Sequence, residues 1–405
     1  MKCRRTFLGW ILVVLVPVLG SVAAQAADPE AELRALDEQL SGLERAVEQR
    51  ERLSDPASDS AREGRSVVSS LSAFLEKVDV SGLVAAGGSW QKSSVKQTPA
   101  GPSVSDKDTT FQLYQGWIEI DKVPTEESRA GFNLAIEMGD LSTQAGDNFT
   151  PGIFSAYVSY LAPLGKGLRI DAGILPTALG AEHEKESLNW NITRGLVWYL
   201  QPITSTGVTL TYSLTDALSL MVGAINDPIA SARTDTLTQK ALTGQLSFQQ
   251  DTWGLKAGVN YGSTQGRTLP LFDSPLPTFT QPALYRAGIY DFVFTWDPFE
   301  NLGFWANFDY HFGEQPEGQP VDGIKAVALA IHLGATETIG FSFRYEWIGV
   351  DNPTEDRFQT FTVTMDHKAT DSLTGRLEYR YQEQEEMGIA LIKSNGIFLQ
   401  WIYEF

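Results

Sequence analysis

The chain closes on "GIFLQWIYEF", residues 396–405. A free terminus usually frays and is polar, yet this one carries Trp401, Tyr403 and Phe405 at every second position. In an extended strand, residues two apart share a face. Ile397, Leu399, Trp401, Tyr403 and Phe405 therefore lie on one side, with Phe398, Gln400, Ile402 and Glu404 on the other. One face requires an apolar medium up to the last residue. That medium is either a protein core or lipid.

The start of the chain favours lipid. "MKCRR" is a basic n-region, Phe7–Gly20 an apolar run, and "AQA" (Ala24–Ala26) a small-residue cleavage site, the pattern of an export signal over 1–26. Two basic residues are ordinary for such a signal, so "RRTFL" needs no twin-arginine reading. The only cysteine, Cys3, would leave with the leader. Removing Lys2, Arg4 and Arg5 leaves 28 basic against 50 acidic residues, a net charge of −22. A nucleic-acid partner is excluded, because it demands a basic footprint. Beyond residue 26 no apolar run is long enough for a spanning helix. Lipid contact then requires a closed β-barrel, because hydrocarbon offers open backbone groups no partner.

Residues 27–54 form a separate segment. Leu33, Leu36, Leu40, Leu43 and Val47 are spaced 3, 4, 3, 4, a heptad seam. It reads either as an oligomerisation stalk or as a solvated amphipathic helix. Residues 55–77 begin as a polar linker, "DPASDSAREG", and continue with Val67, Leu71 and Phe74 at helical spacing.

From residue 78 to 405 the period is two. "IGFSFRYEW" sets Ile339, Phe341, Phe343, Tyr345 and Trp347 against Gly340, Ser342, Arg344 and Glu346; "LTGRLEYRY" sets Leu373, Leu377, Tyr379 and Tyr381 against Thr374, Arg376, Glu378 and Arg380. Either pattern alone would suit a soluble sandwich. The breaks decide the matter. Short turns at 121–128, 162–167, 213–217, 249–252, 297–302, 334–338 and 367–371 alternate with longer polar stretches at 92–108, 140–151, 179–203, 227–239, 263–284, 313–322, 349–357 and 383–393. Outer-membrane barrels alternate in this way, with short periplasmic turns and longer outer loops. The fold expected is all-β: a transmembrane antiparallel β-barrel of about 16 strands, in the bacterial outer membrane.

Within that class, residues 171–228 are more specific. A strand ends in Gly173, Thr177 and Gly180; an acidic loop follows with Asn189 and Asn191; then come Arg194, Pro202, "TGV" and finally "INDP". This stretch resembles the OmpL-like outer-membrane porin family. The resemblance implies a water-filled pore and no enzymatic reaction. The "EHEK" charge departs from the family pattern, so no substrate is carried over. The terminal aromatic also resembles the signature read by the barrel-insertion machinery. The expected partners are that machinery, outer-membrane lipid and further copies of the chain, with a trimer favoured.

Motifs for chemistry are sparse. The sequence holds no P-loop, "GxSxG" or "HExxH" motif, so no catalytic residue and no cofactor are expected. "EHEKE" (182–186) is the densest candidate for a metal and reads instead as a solvated acidic loop. Two alternatives stay open: a barrel-based hydrolase, and a secreted all-β carbohydrate-binding protein. In the barrel reading the inward charges carry the function, and an isolated charge in a dry core is costly. Arg344, Glu346, Arg376, Glu378 and Arg380 should therefore stand in water or pair across strands. The third loop, 179–203, holds Leu188, Trp190, Leu196, Val197, Trp198, Tyr199 and Leu200, which need cover. It should fold inward and constrict the pore, with Glu182, Glu184 and Glu186 facing Arg194 or the wall arginines and favouring cations.

Overall fold

The computed structural model describes residues 78–95, 104–139, 151–234, 239–264, 268–269, 279–280, 286–314, 323–351, 356–386 and 389–405. The leader, the heptad segment and the linker lie outside the described residues.

Sixteen strands close into one antiparallel barrel. They are β1 (Asp79–Val95), β2 (Val104–Lys122), β3 (Ala130–Met138), β4 (Gly152–Ala162), β5 (Leu168–Pro176), β6 (Thr204–Ser213), β7 (Leu218–Ile225), β8 (Ala241–Gln249) and β9 (Trp253–Ser263), then β12 (Arg286–Phe299), β13 (Leu302–Glu314), β14 (Ile324–Gly334), β15 (Ile339–Val350), β16 (Arg357–Thr370), β17 (Leu373–Glu386) and β18 (Ile389–Glu404). Between β9 and β12, β10 (Thr268–Leu269) and β11 (Phe279–Thr280) pair as a separate ribbon.

The barrel closes where β1 meets β18, from Leu83↔Glu404 to Val95↔Ile392. The terminal residue belongs to this ladder. The Phe405 N–H donates to the Gly82 carbonyl and the Gly82 N–H to the Phe405 carbonyl, both at 3.0 Å. That pairing is why the end does not fray. Trp401, Tyr403 and Phe405 are 45%, 51% and 55% exposed, while Gln400 and Ile402 between them are buried. The same division holds on β15, where Phe343 and Tyr345 face out and Arg344 and Glu346 face in at 0% exposure.

Short connections gather at one rim and long ones at the other, as the sequence implies. Two of the long stretches are shorter than expected. β1 and β2 remain paired up to Val95↔Val104, and β17 and β18 up to Glu386↔Ile389. A wall needs an apolar outer face only across the hydrocarbon; beyond it the backbone ladder continues under polar side chains. Lys393 and Glu383 (2.6 Å) and Arg357 and Glu385 (3.2 Å) pair across strands in this extension.

One irregularity matters for the interior. In the β1–β2 ladder Ala85 pairs with Gln115 and Ala86 with Leu113, so Tyr114 is the extra residue of a bulge. A bulge re-aims its side chains. Tyr114 and Gln115 are both buried inside, at 1% and 0% exposure.

Leu210 and Thr211 are chain neighbours on opposite faces of β6. Leu210→Arg should cost more than about 1 kcal/mol in folding into vesicles, since a basic side chain on the lipid face costs about 2–4 kcal/mol at the bilayer midplane and about 0–1 kcal/mol at the interfaces. Thr211→Arg should stay within about 0.5 kcal/mol, as for a water-facing surface site. Denaturant midpoints in the reverse order would mean that the faces are exchanged.

Candidate functional site: the inward loop between β5 and β6

The connection 177–203 leaves β5, turns into the barrel and returns to β6. Two glycines make this path feasible. Gly180 adopts φ +87°, and a Cβ there would meet the Gln201 side chain at 2.1 Å. At Gly195 a Cβ would lie 2.2 Å from Glu346 Oε1 and 2.6 Å from Glu182 Oε2. The backbone must approach both carboxylates closely, and only glycine permits that. The Gly195 N–H donates to Glu182 Oε2 at 2.8 Å.

Beyond Gly195 a single helical turn, α1 (Leu196–Leu200), presents apolar side chains to the wall. Leu196, Val197 and Leu200 pack on Ile324, Ala326, Ala328, Ile348 and Phe358. On the other side Ile192, Trp198 and Ile203 pack with Leu83, Trp117, Phe154, Phe398 and Ile402. The alanines of β14 explain the fit: "KAVALAIHL" places Ala326, Ala328 and Ala330 on the inner face, all nearly inaccessible. Trp190 reaches the short-turn rim, with its ring 5.6 Å from that of His332 and 6.4 Å from that of Trp305. Of the apolar loop residues, Leu188 stays exposed.

Polar anchors run from β2 round to β12. The bulged Gln115 donates to the Glu184 carbonyl (3.0 Å) and accepts from the Glu186 N–H (2.8 Å). Glu378 accepts from the Ile192 N–H (2.6 Å), the Thr193 N–H (3.1 Å) and the hydroxyls of Thr193 (2.5 Å) and Thr364 (2.8 Å). Glu346 accepts from the Val197 N–H at 3.1 Å. Gln201 donates to Asp309 at 2.8 Å and the Gly180 N–H to Asp291 at 3.2 Å, so both ends of the loop are held on the β12–β13 pair.

The charged residues singled out in the sequence meet here. Arg344 lies between Glu182 (2.5 Å) and Glu346 (3.4 Å) and also donates to the Thr193 carbonyl. Arg194 pairs with Glu186 at 2.8 Å and donates to the Glu184 carbonyl. Arg376 lies 3.6 Å from Glu186, and Gln400 donates to that carboxylate as well. Arg380 donates to the Arg194 carbonyl at 2.8 Å. Burial is nearly complete for Glu184, Glu186, Arg194, Arg344, Glu346 and Glu378.

Of the two readings the sequence left for these charges, water or pairing across strands, the structure shows pairing, chiefly with the loop; the loop covers them, and opposite charges with directional hydrogen bonds compensate the lost hydration. Glu182 and Glu186 are ion-paired, so they present no open ring of carboxylate to the lumen. The glutamates of "EHEKE" are accordingly covered, while His183 is exposed and Lys185 partly accessible. The wall away from the loop is different. Tyr157, Arg169, Thr211, Gln245 and Ser247 remain partly accessible and Lys256 is exposed.

Several anchors escaped the sequence reading: Gln115, Thr193, Gln201, Thr364 and Asn307, whose amide oxygen accepts from Gln201 at 3.2 Å. Gln115 carried a signal. In "FQLYQGWIEI" the apolar outer positions shift from Phe111 and Leu113 to Gly116, Ile118 and Ile120, which marks the bulge. The partners of Gln201 and Thr193 lie more than a hundred residues away, and no local pattern marks them.

Replacing Arg344 by Leu leaves Glu182 and Glu346 buried without their cation, a loss of about 3–5 kcal/mol. The loop should come away from the wall. In trypsin digests of the folded barrel, Lys185 should be protected in the parent chain and cut in Arg344→Leu. Glu383→Gln, at a more exposed pair, should leave it protected. Equal protection in all three chains would show that Arg344 does not hold the loop.

A family model described as "Putative beta-barrel porin-2, OmpL-like" matches residues 77–396. No curated protein matches the chain. Among solved structures, the outer membrane channel DcaP of Acinetobacter baumannii superposes with a TM-score of 0.57 at 13% identity, over 81% of this chain and 97% of that one. OmpT of Vibrio cholerae, in a trimer form, gives 0.55 at 11% identity over 81% and 99%. OprB of Pseudomonas putida gives 0.53 at 13% identity over 82% and 96%. At these identities the likeness is one of fold.

Proposed function

The chain belongs to the OmpL-like β-barrel porin family, and from that premise we propose that it is an outer-membrane porin through which small hydrophilic solutes or ions diffuse passively, with the loop 177–203 narrowing the channel. The observation that carries the reading is the one-sided packing of that loop. It packs against β13–β18 and round to β1, β2 and the start of β4, and on β4–β9 it leaves Tyr157, Arg169, Thr211, Gln245, Ser247 and Lys256 at least partly accessible. A barrel of this size without an inserted loop is too wide to discriminate small solutes. The remaining passage lies between the loop and the wall carrying Tyr157, Arg169, Gln245 and Lys256. In this reading residues 1–26 direct export, the barrel-insertion machinery reads the terminal Phe405, and the short turns face the periplasm. The function is passage, without a chemical step.

Planar-bilayer recording tests the constriction. Shortening 182–198 should raise single-channel conductance, while the barrel stays folded because its ladder does not run through the loop. If conductance is unchanged, the loop does not set the pore.

The same proposal gives residues 27–54 the role of an associating coiled coil beneath a homo-oligomer, most simply a trimer. A relative of like fold has been seen in a trimer form, and the Leu33–Val47 seam offers the contact. Deleting 28–55 should lower the oligomer mass in mild detergent without loss of heat-modifiable migration. An unchanged mass by light scattering would remove the segment from assembly.

A further inference from the structure

A crevice opens above the loop on the side of the long connections, between β1, β2, β17 and β18. Its floor is set by Gly396. In the ladders Gly396 stands between Gln91 of β1 and Arg380 of β17. Lacking a side chain, it admits the Phe398 ring, which lies 2.5 Å from where a Cβ would be and lines the crevice. Gln91, Gln112 and Gln382 line the sides with amides, and Tyr199 contributes a phenol from the loop. None of these amides is spent on a hydrogen bond with the described residues. The same holds for the Tyr199 hydroxyl.

Of the four arginines in the loop network, Arg380 alone has no carboxylate partner among the described residues. Arg194, Arg344 and Arg376 each meet a carboxylate within 4 Å. Arg380 donates only to the Arg194 carbonyl, and among the described residues no carboxylate pairs with it. Glu346 and Glu378, on the same wall, are buried and bonded to loop N–H groups. The crevice thus offers a guanidinium fork, three free amides, a phenol and an aromatic floor. A guanidinium matches a carboxylate, amides and phenol match hydroxyls, and a ring face suits the apolar face of a pyranose.

We infer that this crevice is a binding subsite for a carboxylated sugar, which the channel collects at its mouth before passage. The inference rests on the porin reading for its purpose, but binding itself can be measured without any current. Calorimetric titration of the detergent-folded full chain with sodium glucuronate, glucose and sodium acetate separates the contributions. Glucuronate should bind at least about tenfold more tightly than either of the others, since each supplies only half of the recognition. Arg380→Gln should lose about tenfold in glucuronate affinity, and Arg380→Lys should recover part of it. Gln382→Ala should weaken glucuronate and glucose alike and leave acetate unchanged. Heat-modifiable migration verifies that each variant is folded. Equal affinity for glucose and glucuronate overturns the proposal, as does an unaltered Arg380→Gln or the absence of glucuronate binding. Bilayer conductance of the same preparation reports separately on the porin reading.

Discussion

Hydrocarbon offers no partner to a peptide N–H or C=O, so a sheet that meets lipid must close on itself. Closure here extends to the last residue, where Phe405 exchanges both backbone hydrogen bonds with Gly82. Once the sheet is closed, the period of two sorts every strand into an outer and an inner face. The outer face can be uniformly apolar. The inner face encloses a space too wide for side chains alone to fill, and its content depends on what the connections place there.

The connection between β5 and β6 fills part of that space with protein. The inner wall is adapted to it in two ways. Along β14 the inward positions are reduced to alanine, which admits the helical turn Leu196–Leu200. On β15 and β17 they are charged, and the loop brings the opposite charges with it. Neither adaptation is useful without the other. The alanine strip alone would accept an apolar turn at several heights, because apolar contact is non-directional. Unpaired charges alone would hold water and keep the loop away.

Much of the architecture was legible in the chain. The alternation in "IGFSFRYEW" and "GIFLQWIYEF" defines both faces, and the alternation of short and long breaks yields sixteen strands with most connections correctly placed. The inward course of the third loop followed from its uncovered apolar residues. The strand ends were less legible at 92–108 and 383–393, because polar side chains continue a ladder as readily as they leave it. That Glu182, Glu184 and Glu186 would face Arg194 or the wall arginines was legible; that the pairs Glu182–Arg344 and Glu186–Arg194 would be dry was not. Composition reports that charges face inward. Whether they meet water or each other depends on the depth to which Gly180 and Gly195 let the loop descend, which is a property of backbone geometry and not of residue type.

Buried ion pairs add little net stability over apolar groups of the same shape, because the desolvation cost offsets the attraction. Their retention inside this barrel therefore calls for another reason, and directionality supplies one. Glu378 meets the N–H groups of Ile192 and Thr193 together, and Glu346 meets that of Val197. A shift of the loop by one residue would break all three bonds and leave the two buried carboxylates with only their wall partners, among them Thr360 and Thr364. Gln115, aimed inward by the bulge, adds the same constraint at Glu184 and Glu186 from the opposite side. The apolar clusters thus supply the attraction that draws the loop in, while the charged and amide anchors restrict it to one height and one register. That division fixes where the loop stands inside the barrel.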